Sequence, residues 1–326
     1  MRYLSTFSGI GGFEKGIQQA YELSQMGTKP ENSTNNQSGA SQHTECPLCI
    51  GYSEIDKYAS SIYQSHFPTH HNYGDITKIN AKELPDFDLL VGGFPCQSFS
   101  IAGKRGGFDD ARGTMFFELA RIIREKQPRL FVFENVKGLL SHDNGQTFAT
   151  IVNTLDELGY DLQWQVLNSK NHGVPQNRER VFIIGHLRGT SRPEVFPFTG
   201  QGNKNTTLGK STEATVARTL TAGGHSGGNH SGMTILQLNQ PTHSNDRVYG
   251  TEGVSPTLNT MQGGNRQPFI PEDNRIRRLT PTECERLQGF PDGWTEGVSD
   301  TQRYKTLGNA VTVNVIEAIM EKLLRQ

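Results

Sequence analysis

Tyr3-Leu4-Ser5-Thr6-Phe7 runs without a break into Ser8-Gly9-Ile10-Gly11-Gly12-Phe13, and this join decides the fold. Residues 3–7 read as a short strand, and residues 13–23 carry the apolar spacing of a helix. Between them sits a glycine-rich turn. Such a turn lets a ligand approach the backbone, while the helix N-terminus behind it favours an anionic group. Alone the signal is weak, because any tight strand-to-helix turn accommodates glycine.

Working outward, the same rhythm repeats. Further strands are expected at residues 50–54, 89–92, 130–134, 162–167 and 181–185, and helices at 57–67, 114–126 and 148–158, with Gly159 capping the last. Strands alternating with helices predict an α/β fold, a doubly wound and mostly parallel sheet. Residues 25–48 interrupt it: 28–41 is almost entirely Ser, Thr, Asn, Gln, Gly, Lys and Pro, which cannot build a core and reads as a surface insertion. From about residue 190 periodicity fades until an amphipathic helix at 311–324. Within that stretch Ala217-Arg218-Thr219-Leu220-Thr221-Ala222 echoes Ser255-Pro256-Thr257-Leu258-Asn259-Thr260, each followed by paired glycines. They are either two similar turns or two loops that jointly read a substrate. At 326 residues the chain exceeds one core, so the expected division is 1–195 with 304–326, and a smaller unit at 196–303.

Composition excludes little. Net charge is −1, so no global basic balance points to nucleic acid and any such contact must be local. The start of the chain lacks a basic region followed by an apolar one, and no apolar run reaches the roughly 20 residues that span a bilayer. A cytoplasmic protein with reduced thiols is expected. Of the four cysteines, Cys46 and Cys49 make only half a zinc site even with His43 nearby, and no metal is expected.

The residues suited to chemistry fall at strand ends. Glu54 follows the second strand, where a carboxylate can accept from ribose hydroxyls, and Asp75 in Gly74-Asp75-Ile76-Thr77 can accept from an exocyclic amine. Singly each is a solvated strand end; together they outline a nucleoside pocket. Gly92-Gly93-Phe94-Pro95-Cys96 puts a thiol on a glycine-proline turn at a strand's carboxyl end, where it can be activated rather than buried. Glu134, ending the strand at 130–134, should come close to it and can protonate a ring nitrogen. Arg178 and Arg180 alternate on an extended segment, so both are expected to point at one ligand.

Taken in order, residues 7–13, 92–100, 133–138, 176–180 and Gly308-Asn309-Ala310-Val311 resemble the motif series of the DNA cytosine-5 methyltransferases. The resemblance covers nearly the whole chain outside the insertion and residues 190–270. It implies an S-adenosylmethionine-dependent, Rossmann-like catalytic domain and a target-recognition domain with hinge at 196–303. Cys96 would attack carbon 6 of the target cytosine, Glu134 would meet ring nitrogen 3, and Arg178 and Arg180 would hold the catalytic loop and the base's carbonyl. S-adenosylmethionine would be lined by Phe7, Gly9, Ile10, Gly12, Glu54, Ile55, Asp75, Ile76, Pro95, Met115, Asn309 and Ala310. Met115 stands where the family usually has leucine, and Ala310 where relatives often have serine. For Asn309 and Ala310 to take part, the C-terminal helix must fold back beside the first glycine turn.

Carbon 6 is unreachable inside a duplex, so the base must be flipped out, at a cost of a few kcal/mol. Residues 97–112 resemble the loop that closes over it, with Gln97 and Ser100 placed to replace the departed base and Lys104, Arg105 and Arg112 to meet phosphates. Double-stranded DNA is the implied partner of a monomeric enzyme, and a restriction endonuclease would share its site without binding it. The tRNA cytosine-5 methyltransferases share the catalytic series but typically carry Cys-Phe-Thr in the recognition half, whereas Cys284 here precedes Glu285 and Arg286. A non-enzymatic DNA-binding relative is disfavoured by intact Cys96, Glu134 and Arg180.

Overall fold

Six strands hydrogen-bond in the order β2-β1-β3-β4-β7-β5 in a computed structural model that describes residues 1–26, 46–95, 115–198, 235–241, 246–260, 267–272 and 275–324. They are β1 (Arg2–Thr6), β2 (Leu48–Ser53), β3 (Leu89–Gly93), β4 (Leu130–Val136), β5 (Tyr160–Asn168) and β7 (Glu179–Leu187). Every strand expected from the sequence is present, one or two residues longer at some ends and one shorter at two. β1, β2, β3 and β4 run parallel, whereas β7 is antiparallel to both β4 and β5. Its direction follows from its connection. Only residues 169–178 separate β5 from β7, too few for the crossover of a dozen or more that a parallel return needs.

Alternate side chains of the sheet feed two cores, as period-two geometry requires. Tyr3, Leu89, Val91, Leu130, Val132 and Ile184 face one side. There α1 (Gly12–Met26) and α7 (Val313–Leu324) cover them with Phe13, Ile17, Ile316 and Met320. Leu4, Leu90, Phe131, Phe133 and Ile183 face the other, under α3 (Met115–Lys126) and α4 (Gln146–Glu157). The sheet is therefore wound on both faces. Gly159, with φ +91°, closes α4 as expected.

A third cluster joins Ile10, Ile62 of α2 (Lys57–His66), Leu258 and Val313 to α5 (Pro281–Leu287) and α6 (Asp300–Asn309). Thr280 caps α5 through a reciprocal box with Glu283, and Pro281 takes the first helical position. The boundary expected at residue 304 falls inside α6. Two short strands, β6 (Gln176–Asn177) and β8 (Ser255–Pro256), pair with each other, and β9 (Phe269–Glu272) pairs with β10 (Arg275–Arg278). The first of the repeated Thr-Leu elements lies outside the described residues; in the second, Leu258 is buried. Cys49 lies inside β2 with its thiol directed at the Gly51 carbonyl, and Cys46 is exposed. Among the described residues no helix is long and apolar enough to cross a membrane.

Close packing of α1 on α7 brings the chain's end back to its beginning. A Cβ on Gly16 would lie 2.6 Å from Ile316 Cβ and 3.0 Å from the Val313 carbonyl oxygen. Alanine improves helix propensity by up to about 1 kcal/mol, but overpacking costs about 1–3 kcal/mol. The overpacking wins, and Gly16→Ala should lower the stability measured by urea unfolding by about 1 kcal/mol or more.

Candidate active site

The glycine turn is built from left-handed backbone. Phe7, Gly9 and Gly11 have φ of 50°, 55° and 87°, and a non-glycine residue in that region marks a turn held under strain. The turn is tied down by Ser8 N–H donating to the Ser53 carbonyl at 3.3 Å and Gly9 N–H donating to Glu54 Oε2 at 2.9 Å. A Cβ on Gly9 would meet nothing within 4 Å, so one face of the turn stays open to a ligand.

Glu54 also accepts from Asp56 N–H at 2.7 Å through Oε1, and burial raises its pKa. Each of its oxygens keeps a second lone pair. Beside it Ile55 is 76% exposed, an apolar side chain on a ledge suited to the face of a purine. Asp75 accepts from Thr77 N–H and its hydroxyl through Oδ1 alone, and these bonds hold its pKa below the usual range. These four positions fit a nucleoside.

Other residues expected to line that pocket are turned into the protein. Ile10 and Ile76 are core residues, so only their backbones can meet a ligand. Gly12 is needed for close packing: a Cβ there would lie 2.8 Å from Val311 Cγ1. That contact brings the C-terminal segment beside the turn, as the resemblance required, with Asn309 exposed at the end of α6 and Ala310 buried.

At the other end of the crevice, β3 and β4 pair so that Gly93 stands opposite Glu134. The Glu134 carboxylate lies across Gly93, where a Cβ would sit 3.0 Å from Oε2. Arg180 Nε approaches Glu134 Oε1 to 3.0 Å. The pair is out of hydrogen-bonding line, and among the described residues this buried oxygen has no aligned donor. Asn135 is 2% exposed, donates to the Phe94 carbonyl at 2.8 Å and accepts from Val136 N–H at 2.8 Å. It fastens the turn that leads through exposed Pro95 to Cys96. Cys96, Gln97, Ser100, Lys104, Arg105 and Arg112 lie outside the described residues; Met115, half-buried, opens α3.

Arg178 does not share a ligand with Arg180. It is 2% exposed and donates to the carbonyls of Leu258 at 3.3 Å, Gly308 at 3.2 Å and Ala310 at 2.8 Å. Burial, reinforced by Arg180, pulls its pKa down to about 9. It clamps the residues flanking Asn309 to the strand that bears Arg180. Gln176, fully buried, does related work by donating to the Leu287 carbonyl at 2.8 Å.

Sequence reasoning missed Asn135, although it lies inside residues 133–138, and it missed Glu14. Glu14 shares helical spacing with buried Ile10, Phe13 and Ile17, so its place on the apolar face was readable. Its Oε1 accepts from Tyr63 Oη at 3.0 Å, Tyr63 Oη lies 2.9 Å from His70 Nδ1, and Oε2 is buried without a partner among the described residues.

The family model of the C-5 cytosine-specific DNA methylases matches residues 1–325. The type II methyltransferase M1.ScrFI of Lactococcus lactis subsp. cremoris is 39% identical, aligned over 99% of this chain and 78% of its own. M.HhaI of Haemophilus parahaemolyticus, another type II methyltransferase, is 33% identical over 98% of this chain and 93% of its own. Among solved structures, the S. pombe Dnmt2 methyltransferase superposes with a TM-score of 0.68 at 17% identity, covering 100% of this chain and 98% of that one. This last likeness concerns the fold.

Burial raises the pKa of Glu14 from 4.5 to about 7. The folded chain therefore binds more protons than the unfolded one between those values, and stability falls as pH rises through that window. Glu14→Gln should match wild type near pH 4 and exceed it above about pH 7 by up to about 3 kcal/mol, read from urea unfolding at both pH values.

Proposed function

The chain belongs to the C-5 cytosine-specific DNA methylases, and from that premise we propose how its residues divide the reaction. Cys96 adds to carbon 6 of a cytosine flipped out of double-stranded DNA. The sulfur–carbon bond forms as the carbon 5–carbon 6 π electrons move to carbon 5, and Glu134, carrying a proton, donates it to ring nitrogen 3. S-adenosylmethionine, when bound, supplies an electrophilic methyl group. Once carbon 5 carries that methyl group, water acting as base removes the carbon 5 proton. The freed electrons re-form the carbon 5–carbon 6 double bond and expel the thiolate, and ring nitrogen 3 returns its proton to Glu134. The observation that carries this reading is the Glu134 carboxylate lying across Gly93, on the turn that leads to Cys96.

The other residues prepare these two. Arg180 faces the same carboxylate and reaches toward the base's carbonyl, which keeps Glu134 from swinging away. Asn135 sets the Phe94 carbonyl and with it the start of the catalytic loop. Glu54, Ile55, Asp75 and the open face of Gly9 hold the nucleoside half of the methyl donor, and Phe7, Met115, Asn309 and Ala310 complete the pocket. Gln97 and Ser100 fill the place of the flipped base, while Lys104, Arg105 and Arg112 meet phosphates. Residues 196–303 read the target sequence, with α5 and the residues after it as the hinge onto the catalytic domain. The protein acts as a cytoplasmic monomer of the type II modification class, with any cognate endonuclease acting separately on the same site.

Wild-type protein should place methyl groups on carbon 5 of cytosine in duplex DNA, located by bisulfite sequencing, and Cys96→Ser should reduce this to background. Methylation confined to tRNA in a parallel assay would favour the RNA reading instead. Gly93→Ala should lower kcat by about tenfold or more, because misplacing a reacting group by a fraction of an ångström is costly. Affinity for the methyl donor should be unchanged in that variant.

A further inference from the structure

The cofactor turn is held from behind by residues that lie far along the chain. Trp294 Nε1–H donates to the Ile10 carbonyl at 2.9 Å, in the middle of the glycine turn. Its indole is buried and stacks on His66 with ring centroids 3.6 Å apart and planes 6° from parallel. The residues on either side of Trp294 are fastened by one carboxylate. Glu285, fully buried, accepts from Gly293 N–H at 2.7 Å and Thr295 N–H at 2.8 Å, and pairs with Arg303 at 3.0 Å. Ten residues past Thr295 in the same segment, Lys305 pairs with Asp56 at 2.5 Å. The Asp56 N–H is the group that donates to Glu54 Oε1.

Both arms of the nucleoside pocket thus end on one brace. One arm runs from Trp294 to the Ile10 carbonyl and the left-handed peptides around Gly9. The other runs from Lys305 through Asp56 to Glu54, whose second oxygen returns to Gly9 N–H. We propose that Trp294 and Lys305 are positioning residues for S-adenosylmethionine, fixing the glycine turn and the Glu54 carboxylate before the ligand arrives. The inference rests on the cofactor reading given above. A turn left free in the ligand-free protein must be ordered on binding, so loosening either arm weakens affinity. The Lys305–Asp56 pair is about a third exposed on each side, and ion pairs of that kind contribute little to global stability. Its loss should therefore appear in ligand affinity ahead of melting temperature.

The test is calorimetric titration of S-adenosylhomocysteine into wild type, Trp294→Phe, Lys305→Met and Lys305→Arg. Losing one buried hydrogen bond, or the Lys305 charge, should raise Kd by about tenfold in the first two variants, and Lys305→Arg should restore it to within about threefold. In the two Lys305 variants, whose residue lies outside 196–303, affinity for duplex DNA without cofactor should stay at the wild-type value. Should Trp294→Phe fail to fold, the Lys305→Met and Lys305→Arg pair decides alone. The inference is overturned if Kd stays within about twofold of wild type, or if DNA affinity falls in parallel in Lys305→Met, as general loosening of the fold would produce. A wild-type protein that gives no heat of binding would instead remove the cofactor reading on which the inference rests.

Discussion

Gly93 has no side chain, and the carboxylate of Glu134 takes the space one would fill. The rest of the site depends on this exchange of volume. Strand register makes it, since β3 and β4 pair from Leu89 with Leu130 up to Gly93 with Glu134. A slip of one residue would turn Glu134 to the opposite face of the sheet. Because both strands are buried on both faces by Leu90, Val91, Phe131 and Val132, register is fixed by the core and delivers an acid to the turn before Cys96. Arg180 enters from β7, whose antiparallel course sets its residues against the end of β4.

The glycine turn is governed by a second constraint, the return of the C-terminal segment to it. Gly12 and Gly16 allow Val311 and Ile316 to approach α1 closely. Arg178 then secures the carbonyls on either side of Asn309. Buried polar groups gather where chain segments distant in sequence must meet: Arg178 at one junction, Glu285 with Arg303 at another, Glu14 with Tyr63 at a third. Each is costly to break, because a partner left behind in a buried site keeps its desolvation cost.

Much of this was legible in the sequence. Short apolar runs alternating with helical stretches located all six strands of the sheet, and strand ends located Glu54, Glu134 and the Pro95-Cys96 turn. Asp75, expected at a strand end, instead caps a short helical turn at Ile76–Lys78. Strand direction was not legible, because alternation looks the same either way; the short connection before β7 was the available signal. Arg178 was misplaced for a related reason. Alternation puts residues 178 and 180 on one face only within a regular strand. The chain bends between β6 and β7, where Arg178 N–H donates to the Gln176 carbonyl at 3.1 Å, and its side chain turns inward. Ile10 and Ile76 sit in motifs that resemble cofactor-lining segments, yet apolar side chains beside a core are drawn into it.

The central claim is a thiol adding to an extruded pyrimidine beside a carboxyl group that the sheet holds in place. Incubating the protein with S-adenosylmethionine and a duplex carrying 5-fluorocytosine at the methylated position tests it directly, since the carbon 5 fluorine cannot leave as a proton does. The account predicts a stable protein–DNA adduct, mapped by mass spectrometry to Cys96 and formed more slowly by Glu134→Gln. Complete methylation of the normal duplex with no adduct on the fluorinated one would contradict it.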